Sequence, residues 1–514
     1  MLKVVSIPRT EKKTNDYSIK INGVAVETYA ARVSKYPCNH WYAIERNLNN
    51  TEIASFISFE SDEEVNIEIE VKRKFSEAII RPLSENIKIS RTGKKLLFSL
   101  SKVGQYVLNF DGFYKALHIF FNPLKNFCVD VNDKNTIYFG AGIHNVGNIE
   151  IKSNQTIYID EDAVVYGSVI ACGAENFRIV GYGILDGSHE KRFFDSSLVP
   201  HDVLRDFNVD KKIRSLDQEG SRAIIGSEIY KDRNSFRTYL SDSKQLSDCI
   251  HLYKCKNGKI NGIILRDSSG FCIIEANCDN IVCDNIKEIG MWRFNTDGID
   301  LFNSRNCTIK NSFFRNFDDC IVLKGIVGWD KQNMENIRVE NCVIWNDWGR
   351  ALEIGAETSA DEYKNILFID CDCIHGANVM LDIQSCDRAT VHDVVFENIR
   401  AEFSKYCLQP KIWQSEDQRY FKSHGVPYLI VITFSNGTFY SNDKIKGKIY
   451  DITYKDIAVY SDEKTVPAIL FDESDEEHFI KNVVIDNLTV NCQKIATIKE
   501  SGIILNGKTE VTVN

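Results

Sequence analysis

Residues 307–316 read CTIKNSFFRN, residues 337–346 read IRVENCVIWN and residues 391–402 read VHDVVFENIRAE. Each stretch joins Asn, Asp or Cys to a short apolar strand and then to another Asn. The phrase recurs from about residue 136 onward, with strands of about four to six residues and roughly 20 to 30 residues between repeats. The repetition predicts a stacked β-solenoid, in which inward apolar side chains pack on their equivalents in neighbouring coils.

A β-sandwich with many strands is the alternative fold for this pattern, because it also has short strands and frequent turns. A sandwich joins neighbouring strands by two-residue hairpins such as Asn-Gly, and such hairpins are rare in these linkers. The repetition therefore favours the solenoid, and the expected fold class is all-β, a right-handed parallel β-helix.

The first part of the chain has a different rhythm, with short alternating strands such as VNIEIEVKRKF and GQYVLNF. This pattern is typical of a β-sandwich. We predict an N-terminal β-sandwich domain over residues 1–125 and a β-helix domain over residues 126–514. Two insertions, near 188–245 and 402–444, interrupt the repeat. Long loops in a solenoid leave from one face, so these either wall a binding groove or only cap the surface.

Composition limits the partners of the protein. The 514 residues include 72 acidic and 62 basic side chains, for a formal net charge of −10. This balance argues against nucleic acid, an anionic membrane or a polyanionic substrate as the default partner. The N-terminal residues lack an apolar stretch of secretory length, so a cytoplasmic location is expected. The 16 cysteines are dispersed within apolar runs, which indicates reduced thiols, and neither a metal nor a cofactor is expected.

The residues with the strongest chemical signal are three aspartates. Asp297 and Asp318 lie 21 positions apart, which is about one coil, and Asp319 follows directly. Neighbouring coils are about 4.8 Å apart, so the three carboxylates are predicted to converge. Like charges at this separation raise one another's pKa, and glycosidic cleavage needs a protonated acid beside an ionised base. The alternative is that the aspartates are solvated turn residues.

The two motifs that contain these aspartates are NTDGID at 295–300 and DDCIVLK at 318–324. They resemble the Asn-Thr-Asp and Asp-Asp motifs of glycoside hydrolase clan N, which contains the family 28 polygalacturonases and the family 49 dextranases and isopullulanases. The resemblance covers about residues 136–400. IRPLS, GQYVLNF and LHIFFNP in the first domain also look like the N-terminal β-sandwich of the dextranase family.

The resemblance implies an inverting mechanism. By motif position, Asp318 would be the general acid, Asp297 and Asp319 would hold the attacking water as base, and Asn295 would orient a carboxylate or a substrate hydroxyl. The order of Asp318 and Asp319 in these roles is not fixed by the sequence.

The chain departs from the polygalacturonase pattern at two places. Gly349-Arg350-Ala351 stands where that family has Gly-His-Gly, and Asp382-Ile383-Gln384 stands where it has Arg-Ile-Lys. The Arg and Lys of the family motif are the cations that would bind a uronate carboxylate, and Asp and Gln cannot replace them. The departure favours a neutral sugar, whose hydroxyls would be bound by Gln384, Asp382, Glu353 and Glu357.

The sequence leaves alternative roles open for three further residues. Arg350 either pairs with a catalytic carboxylate or binds substrate, or it forms a structural ion pair with Glu353 or Asp347. Lys324 either faces the groove and binds substrate or is solvated. Trp348 is a candidate sugar platform, although at least one of the tryptophans near the motifs is expected to lie in the core.

The sequence therefore predicts an inverting glycoside hydrolase that acts on a neutral oligo- or polysaccharide, with a dextran-like or other glucan substrate favoured. The alternatives are a polygalacturonase-type pectin hydrolase, a β-helix glycosyl transferase or lyase, and a carbohydrate-binding β-helix without activity. A lyase would need cations or calcium at the motif coils, where the sequence shows no basic cluster. The expected partner is the saccharide, and neither oligomeric state nor linkage follows from the sequence.

Overall fold

The computed structural model describes the chain except for residues 36–38, 42–50, 125, 190–248, 269, 294–295, 327–330, 405–411, 415–419, 423–426, 437–440, 442–444, 463–466 and 473. For residues 39–41, 412–414 and 420–422 only the backbone is described. The predicted insertion at 188–245 therefore lies almost entirely outside the described residues.

The N-terminal region forms two stacked β-sheets. One sheet has the order Leu2–Val4, Thr51–Ser61, Leu117–Asn122, Gly104–Phe110 and Ala78–Arg81, with Tyr29–Ser34 also paired to Thr51–Ser61. The other has the order Val24–Val26, Tyr17–Ile21, Val65–Val71, Lys95–Leu100 and Ser90–Thr92. Burial along Val65–Val71 alternates strictly, and its buried side chains share one apolar cluster with those of the first sheet. The period-2 pattern of the sequence thus gives sheets with one buried face, as predicted.

The rest of the chain is a parallel β-helix with three strands per coil. The outer face is one sheet of twelve strands: Thr136–Phe139, Thr156–Ile159, Arg178–Gly181, Lys256–Asn261, Asp279–Asp284, Thr308–Lys310, Met334–Glu340, Glu362–Ile369, Thr390–Glu397, Lys448–Lys455, Ile480–Asp486 and Thr509–Val513. All eleven steps of this order are parallel pairs, which confirms the predicted solenoid.

The other two faces form two rows of strands. We call one the groove row: Gly142–Glu150, Ala163–Cys172, Ile250–Tyr253, Ile273–Ala276, Ile299–Phe302, Ile321–Gly325, Arg350–Thr358, Val379–Ser385, Tyr428–Phe434, Ala468–Asp472 and Ile503–Leu505. We call the other the sandwich-facing row: Ile184–Asp186, Ile264–Arg266, Lys287–Met291, Phe313–Asn316, Val343–Asn346, Asp372–His375, Arg400–Phe403, Ala458–Ser461, Leu488–Val490 and the antiparallel Gln493–Ile495.

Side chains stack from coil to coil, as the repeat predicts. Inward residues such as Ile321 and Leu352 are opposite one another in register and are fully buried in the interior cluster. Asparagines at the turns have positive φ, for example Asn306 at 56° and Asn336 at 57°, a conformation that Asn tolerates better than most residues. The Asn336 amide donates to Asn306 Oδ1 at 2.8 Å and so links two coils. The cysteines in the described ranges are free thiols, and all but Cys128 and Cys492 are buried.

The sandwich packs against the sandwich-facing row. Its Phe113 and Phe120 belong to the same buried cluster as Phe313 and Trp345 of the β-helix. Phe120 and Phe313 have ring centroids 5.4 Å apart, and those of Phe113 and Trp345 are 5.2 Å apart. The cluster contains no side chain of the groove strands Ile299–Phe302, Ile321–Gly325 or Arg350–Thr358, so these strands lie on a separate face of the solenoid.

Helices are short, and include the 3₁₀ turns Leu83–Glu85 and Gly187–His189 and the α-helical turn Ile498–Ser501. None of the helices within the described ranges has the length and apolar composition needed to span a bilayer. Within the predicted insertion at 402–444, Tyr428–Phe434 is a strand of the groove row that pairs with Val379–Ser385. In the same insertion Ile412–Gln414 pairs with Asn39–Trp41 and Tyr420–Lys422 in a small separate sheet.

Candidate active site

The three aspartates lie on two turns that enter adjacent strands of the groove row. Ile299 is opposite Ile321 in the parallel register, so the same register places Asp297 opposite Asp319 two residues earlier. The Gly298 amide donates to the Asp319 carbonyl oxygen at 2.8 Å, which fixes this pairing. Strands in one sheet are about 4.8 Å apart, so the two carboxylates are neighbours. The predicted convergence of Asp297 with the Asp318–Asp319 pair is present in the structure.

A third turn closes over this pair. A Cβ atom added to Gly349 would lie 2.5 Å from Asp319 Oδ1 and 2.6 Å from the backbone carbon of Asp318. The Arg350 amide donates to Asp319 Oδ1 at 3.0 Å. Only glycine permits this approach, since any side chain would push the aspartates away.

Lys324 is buried beside the aspartates, with 5% of its surface exposed. Its Nζ donates to Asp297 Oδ2 at 2.7 Å and lies 2.6 Å from Asp300 Oδ1. The ammonium group also lies 4.7 Å from the centroid of the Phe271 ring. The alternative that Lys324 is a solvated surface residue is therefore wrong, because its charge compensates two buried carboxylates.

Arg350 contacts four acidic or amide side chains. Its Nε lies 3.3 Å from Asp382 Oδ2 and 3.8 Å from Glu353 Oε1, and its Nη1 lies 3.6 Å from Asp319 Oδ1. Its Nη2 donates to Gln384 Oε1 at 3.0 Å.

Both alternatives for Arg350 are therefore present, an ion pair with a catalytic candidate and one with Glu353. Asp347 instead pairs with Arg315, at 3.6 Å between Nε and Oδ2.

The surroundings separate the pKa values of the aspartates. Burial raises the pKa of Asp318 well above its ordinary value, and the charges of Asp297 and Asp319 act in the same direction. Burial also acts to raise the pKa of Asp319, but the cations of Arg350 and Lys324 outweigh it and hold that pKa below its ordinary value. Burial raises the pKa of Asp297 although Lys324 opposes it. Asp318 is thus the carboxyl suited to carry a proton, and Asp319 the one suited to remain ionised.

The acids beyond the aspartate cluster are also shifted upward. Burial raises the pKa of Glu353, and the charge of Asp319 adds to the effect. Burial raises the pKa of Asp382 to about 7 although Arg350 opposes it. Burial raises the pKa of Glu357 as well, against the charge of Lys324. Glu353 is opposite Asp382 in the strand register, so these predicted substrate residues line one column of the groove row.

The remaining predicted residues lie at the edge of this cluster or outside the described chain. Trp348 is 9% exposed and stacks on Phe317, with ring centroids 6.0 Å apart and planes inclined by 11°. Trp292 and Trp345 are fully buried and donate to Asp267 and Asp347, so these two are core residues. Asn295 lies outside the described residues.

Two residues of the cluster were not singled out from the sequence. Asp300 belongs to NTDGID and is opposite Val322, which in turn is opposite Glu353, so its outward position could have been inferred from strand alternation. Phe271 has no such signal, because its contact with Lys324 depends on the path of a loop. No group of three or more His, Cys, Asp or Glu side chains suited to hold a metal ion occurs in the described part of the chain.

A parallel β-helix with a cluster of aspartates at the entrance of two neighbouring groove strands defines a class, the parallel β-helix glycoside hydrolases. The comparisons with known proteins agree. Residues 207–415 match the family described as glycosyl hydrolases family 28. These residues include all three aspartates.

Relatives support the same class, and a solved structure shares the fold. The chain is 24% identical over 313 residues to an exo-poly-alpha-D-galacturonosidase of Dickeya chrysanthemi, which covers 57% of this chain and 46% of the relative. It is 35% identical over 97 residues to an exopolygalacturonase of Cochliobolus carbonum, covering 18% of this chain and 20% of the relative. The structure of Dex49A from Penicillium minioluteum aligns with a TM-score of 0.61 at 13% identity, covering 96% of this chain and 92% of that one.

These findings confirm the predicted resemblance to glycoside hydrolase clan N and identify residues 207–415 as a glycoside hydrolase region. The Dex49A alignment extends over nearly the whole chain and so includes the N-terminal sheets, which shows a shared fold. The chain spans about half the length of the Dickeya relative that it matches.

Proposed function

We propose that the protein hydrolyses a glycosidic bond with inversion, at the cluster formed by Asp297, Asp318 and Asp319. The observation that carries this proposal is the opposite direction of the two pKa shifts in one adjacent pair, upward for Asp318 and downward for Asp319. One carboxyl that keeps its proton beside one that loses it is the arrangement that acid–base cleavage of an acetal needs.

In the proposed reaction Asp318 donates its proton to the oxygen of the leaving sugar as the bond from that oxygen to the anomeric carbon breaks. A water molecule held by Asp319 and Asp297 attacks the anomeric carbon from the opposite face, and its proton passes to Asp319. Lys324 donates to Asp297 and opposes the rise in the pKa of that carboxyl, which favours its ionised form. Asn295 would orient a carboxylate or a substrate hydroxyl, as the motif implies.

The column next to the aspartates suits a neutral sugar. Asp382, Glu353 and Gln384 offer acceptors for hydroxyl groups, and Glu357 lies at the far end of the same strand as Glu353. The Arg350 guanidinium is already shared among the acids and the amide around it. A uronate carboxylate at this position would meet acidic side chains and a cation that is already engaged by them, so a neutral glucan-like oligosaccharide is the favoured substrate.

Galacturonan is the second candidate, because the named activities of the Dickeya and Cochliobolus relatives concern polygalacturonate. Arg350 is the cation that would bind a carboxylate of galacturonan, since 23% of its side-chain surface is exposed.

The test is hydrolysis of a panel of neutral gluco-, galacto- and fructo-oligosaccharides and of oligogalacturonides, with the anomeric form of the first product recorded by NMR. Wild type is compared with Asp318→Asn and with Asp393→Asn, an exposed aspartate at positive φ on the outer sheet. We expect cleavage of a neutral substrate with inversion, unchanged in Asp393→Asn and reduced by a factor of about 10² to 10⁴ in Asp318→Asn.

Cleavage of oligogalacturonides alone would overturn the neutral substrate and leave the mechanism standing. A product of retained configuration, or full activity in Asp318→Asn, would overturn the mechanism. No cleavage of any member of the panel would overturn hydrolysis of these sugars.

A further inference from the structure

Residues 346–350, which we call the covering turn, hold the aspartate pair from above. The side-chain amide of Asn346 donates to the Asp318 carbonyl oxygen at 2.6 Å. The backbone amide of Gly349 donates to the Phe317 carbonyl oxygen at 3.1 Å. The Arg350 amide donates to the Asp319 carboxylate. A displacement of this turn would therefore displace both members of the pair.

Asp347 links the covering turn to buried side chains of the β-helix. Its Oδ1 accepts a hydrogen bond from Trp345 Nε1 at 2.7 Å, and its Oδ2 lies 3.6 Å from Arg315 Nε. Arg315 is 1% exposed, and its guanidinium carbon lies 4.1 Å from the centroid of the Trp345 ring. Arg315 is on the strand Phe313–Asn316 of the sandwich-facing row. The contact between Asp347 and Arg315 therefore joins the covering turn to the side of the coil that faces the sandwich.

The N-terminal sandwich contacts Arg315 through His118. Arg315 Nη1 lies 3.1 Å from His118 Nε2, and His118 Nδ1 lies 3.2 Å from the Ser55 carbonyl oxygen. The carbonyl requires the proton on Nδ1, which leaves Nε2 as an acceptor for Arg315. Burial and the Arg315 charge both lower the pKa of His118, so the ring is neutral, as this arrangement needs.

The carboxyl of Glu52 is influenced by the same charges. Burial raises the pKa of Glu52 to about 7, and the Arg315 charge opposes this while the Asp347 charge adds to it. Glu52 also accepts a hydrogen bond from the Lys115 amide at 2.6 Å. The sandwich therefore places a neutral imidazole against Arg315 and a carboxyl group within range of its charge, while Asp347 pairs with Arg315 from the β-helix.

We infer that the N-terminal sandwich positions the active site, through the chain of contacts His118, Arg315 and Asp347. This inference rests on the proposed function for its effect on catalysis. These three are positioning residues, because they act on the aspartates only through the covering turn. Added stability alone would not require a chain of contacts from the sandwich to the covering turn, which contacts the reacting carboxyls.

The test compares two substitutions of His118. His118→Leu removes the acceptor for Arg315 and leaves a buried N–H without a partner, whereas His118→Gln keeps an acceptor and a donor in a side chain of similar reach. The control is Glu402→Gln, which weakens another buried contact between sandwich and β-helix, the ion pair of Arg81 with Glu402, whose Oε1 also accepts a hydrogen bond from the Leu83 backbone amide. Asp347→Asn serves as a second variant if His118→Leu does not fold.

Two readouts are measured for each protein, hydrogen exchange of the amides in residues 346–350 and the kinetics of the best substrate. We expect His118→Leu to speed exchange in the covering turn and to lower kcat by about 10- to 100-fold with KM changed less than about 2-fold. His118→Gln is expected to restore most of both, and Glu402→Gln to change neither.

Unchanged exchange in the covering turn of His118→Leu would overturn the inference whatever the kinetics. An equal kcat loss in Glu402→Gln would also overturn it, because general destabilisation would then explain the effect. If the wild type cleaved no tested sugar, the proposed function would fail while the exchange experiment still decided whether the sandwich holds the turn.

Discussion

Replacing Lys324 by Met tests whether this buried cation holds the carboxylates of the site together. The substitution keeps an unbranched side chain, slightly shorter than that of Lys, and removes the charge that lies 2.7 Å from Asp297 and 2.6 Å from Asp300. Breaking a buried ion pair by removing one partner costs about 3–5 kcal/mol when the other charge has to remain.

A carboxylate can instead take up a proton, which limits the cost. Protonation at pH 7 costs about 1.4 kcal/mol for each pH unit above an unfolded-state pKa of about 3.9, or about 4 kcal/mol, and only about 1.5 kcal/mol at pH 5. The pKa of Asp297 is already raised in the folded protein, and loss of Lys324 raises it further. A group with a raised folded-state pKa contributes stability below its unfolded-state pKa and loses it as the pH rises.

Because the wild type already carries part of this cost, we expect Lys324→Met to lower the free energy of unfolding by up to about 4 kcal/mol at pH 7 and by up to about 1.5 kcal/mol at pH 5. Denaturant unfolding at both pH values, against wild type and Lys455→Met, measures this. Lys455 forms an exposed ion pair with Glu397 at 2.6 Å, and its loss is expected to have no measurable effect at either pH. An equal loss for Lys324→Met at both pH values would refute the reasoning, and so would no loss at all.

Two further predictions concern the aspartate pair. Because the pKa of Asp319 is lowered and that of Asp318 raised, the rate of hydrolysis is expected to fall at acidic pH as Asp319 takes up a proton and at alkaline pH as Asp318 loses its own. A pH profile of kcat/KM for the wild type checks this, and a flat acidic side would contradict the role of Asp319. Gly349→Ala is expected to lower kcat by about 10²-fold, because its Cβ would lie 2.5 Å from Asp319 Oδ1. Gly104→Ala, whose Cβ would meet the Tyr106 side chain at 3.3 Å, is the control in the same kinetic assay.

The sequence predicted the parts of the fold that depend on local periodicity. The recurring strand phrase predicted the solenoid, and the spacing of Asp297 and Asp318 predicted their meeting on neighbouring coils, since a coil fixes which residues become neighbours. Asp300 was within reach of the same argument, because strand alternation places it on the outward face with Glu353 and Asp382.

The electrostatic surroundings of the site were not predictable in the same way. Lys324 was placed on the correct strand, but its burial depends on the loop that carries Phe271, and no local pattern describes that contact. The contact of Arg315 with His118 joins residues 197 positions apart in sequence, between two regions with different periodicities. Only the packing of the sandwich on the β-helix determines such a pair.

The two cations of the site contribute to the difference between the pKa values of Asp318 and Asp319. Lys324 forms its close contacts with Asp297 and Asp300, and Arg350 forms its contacts with Asp319, Asp382 and Glu353. The close contacts of both cations therefore fall on carboxyl groups other than that of Asp318. Burial is the largest cause of the raised pKa of Asp318, and the negative charges of Asp297 and Asp319 add to it more than Arg350 and Lys324 oppose it. The guanidinium of Arg350 keeps its charge over the pH range of an assay, so its contact with Asp319 favours the ionised form of that carboxyl throughout.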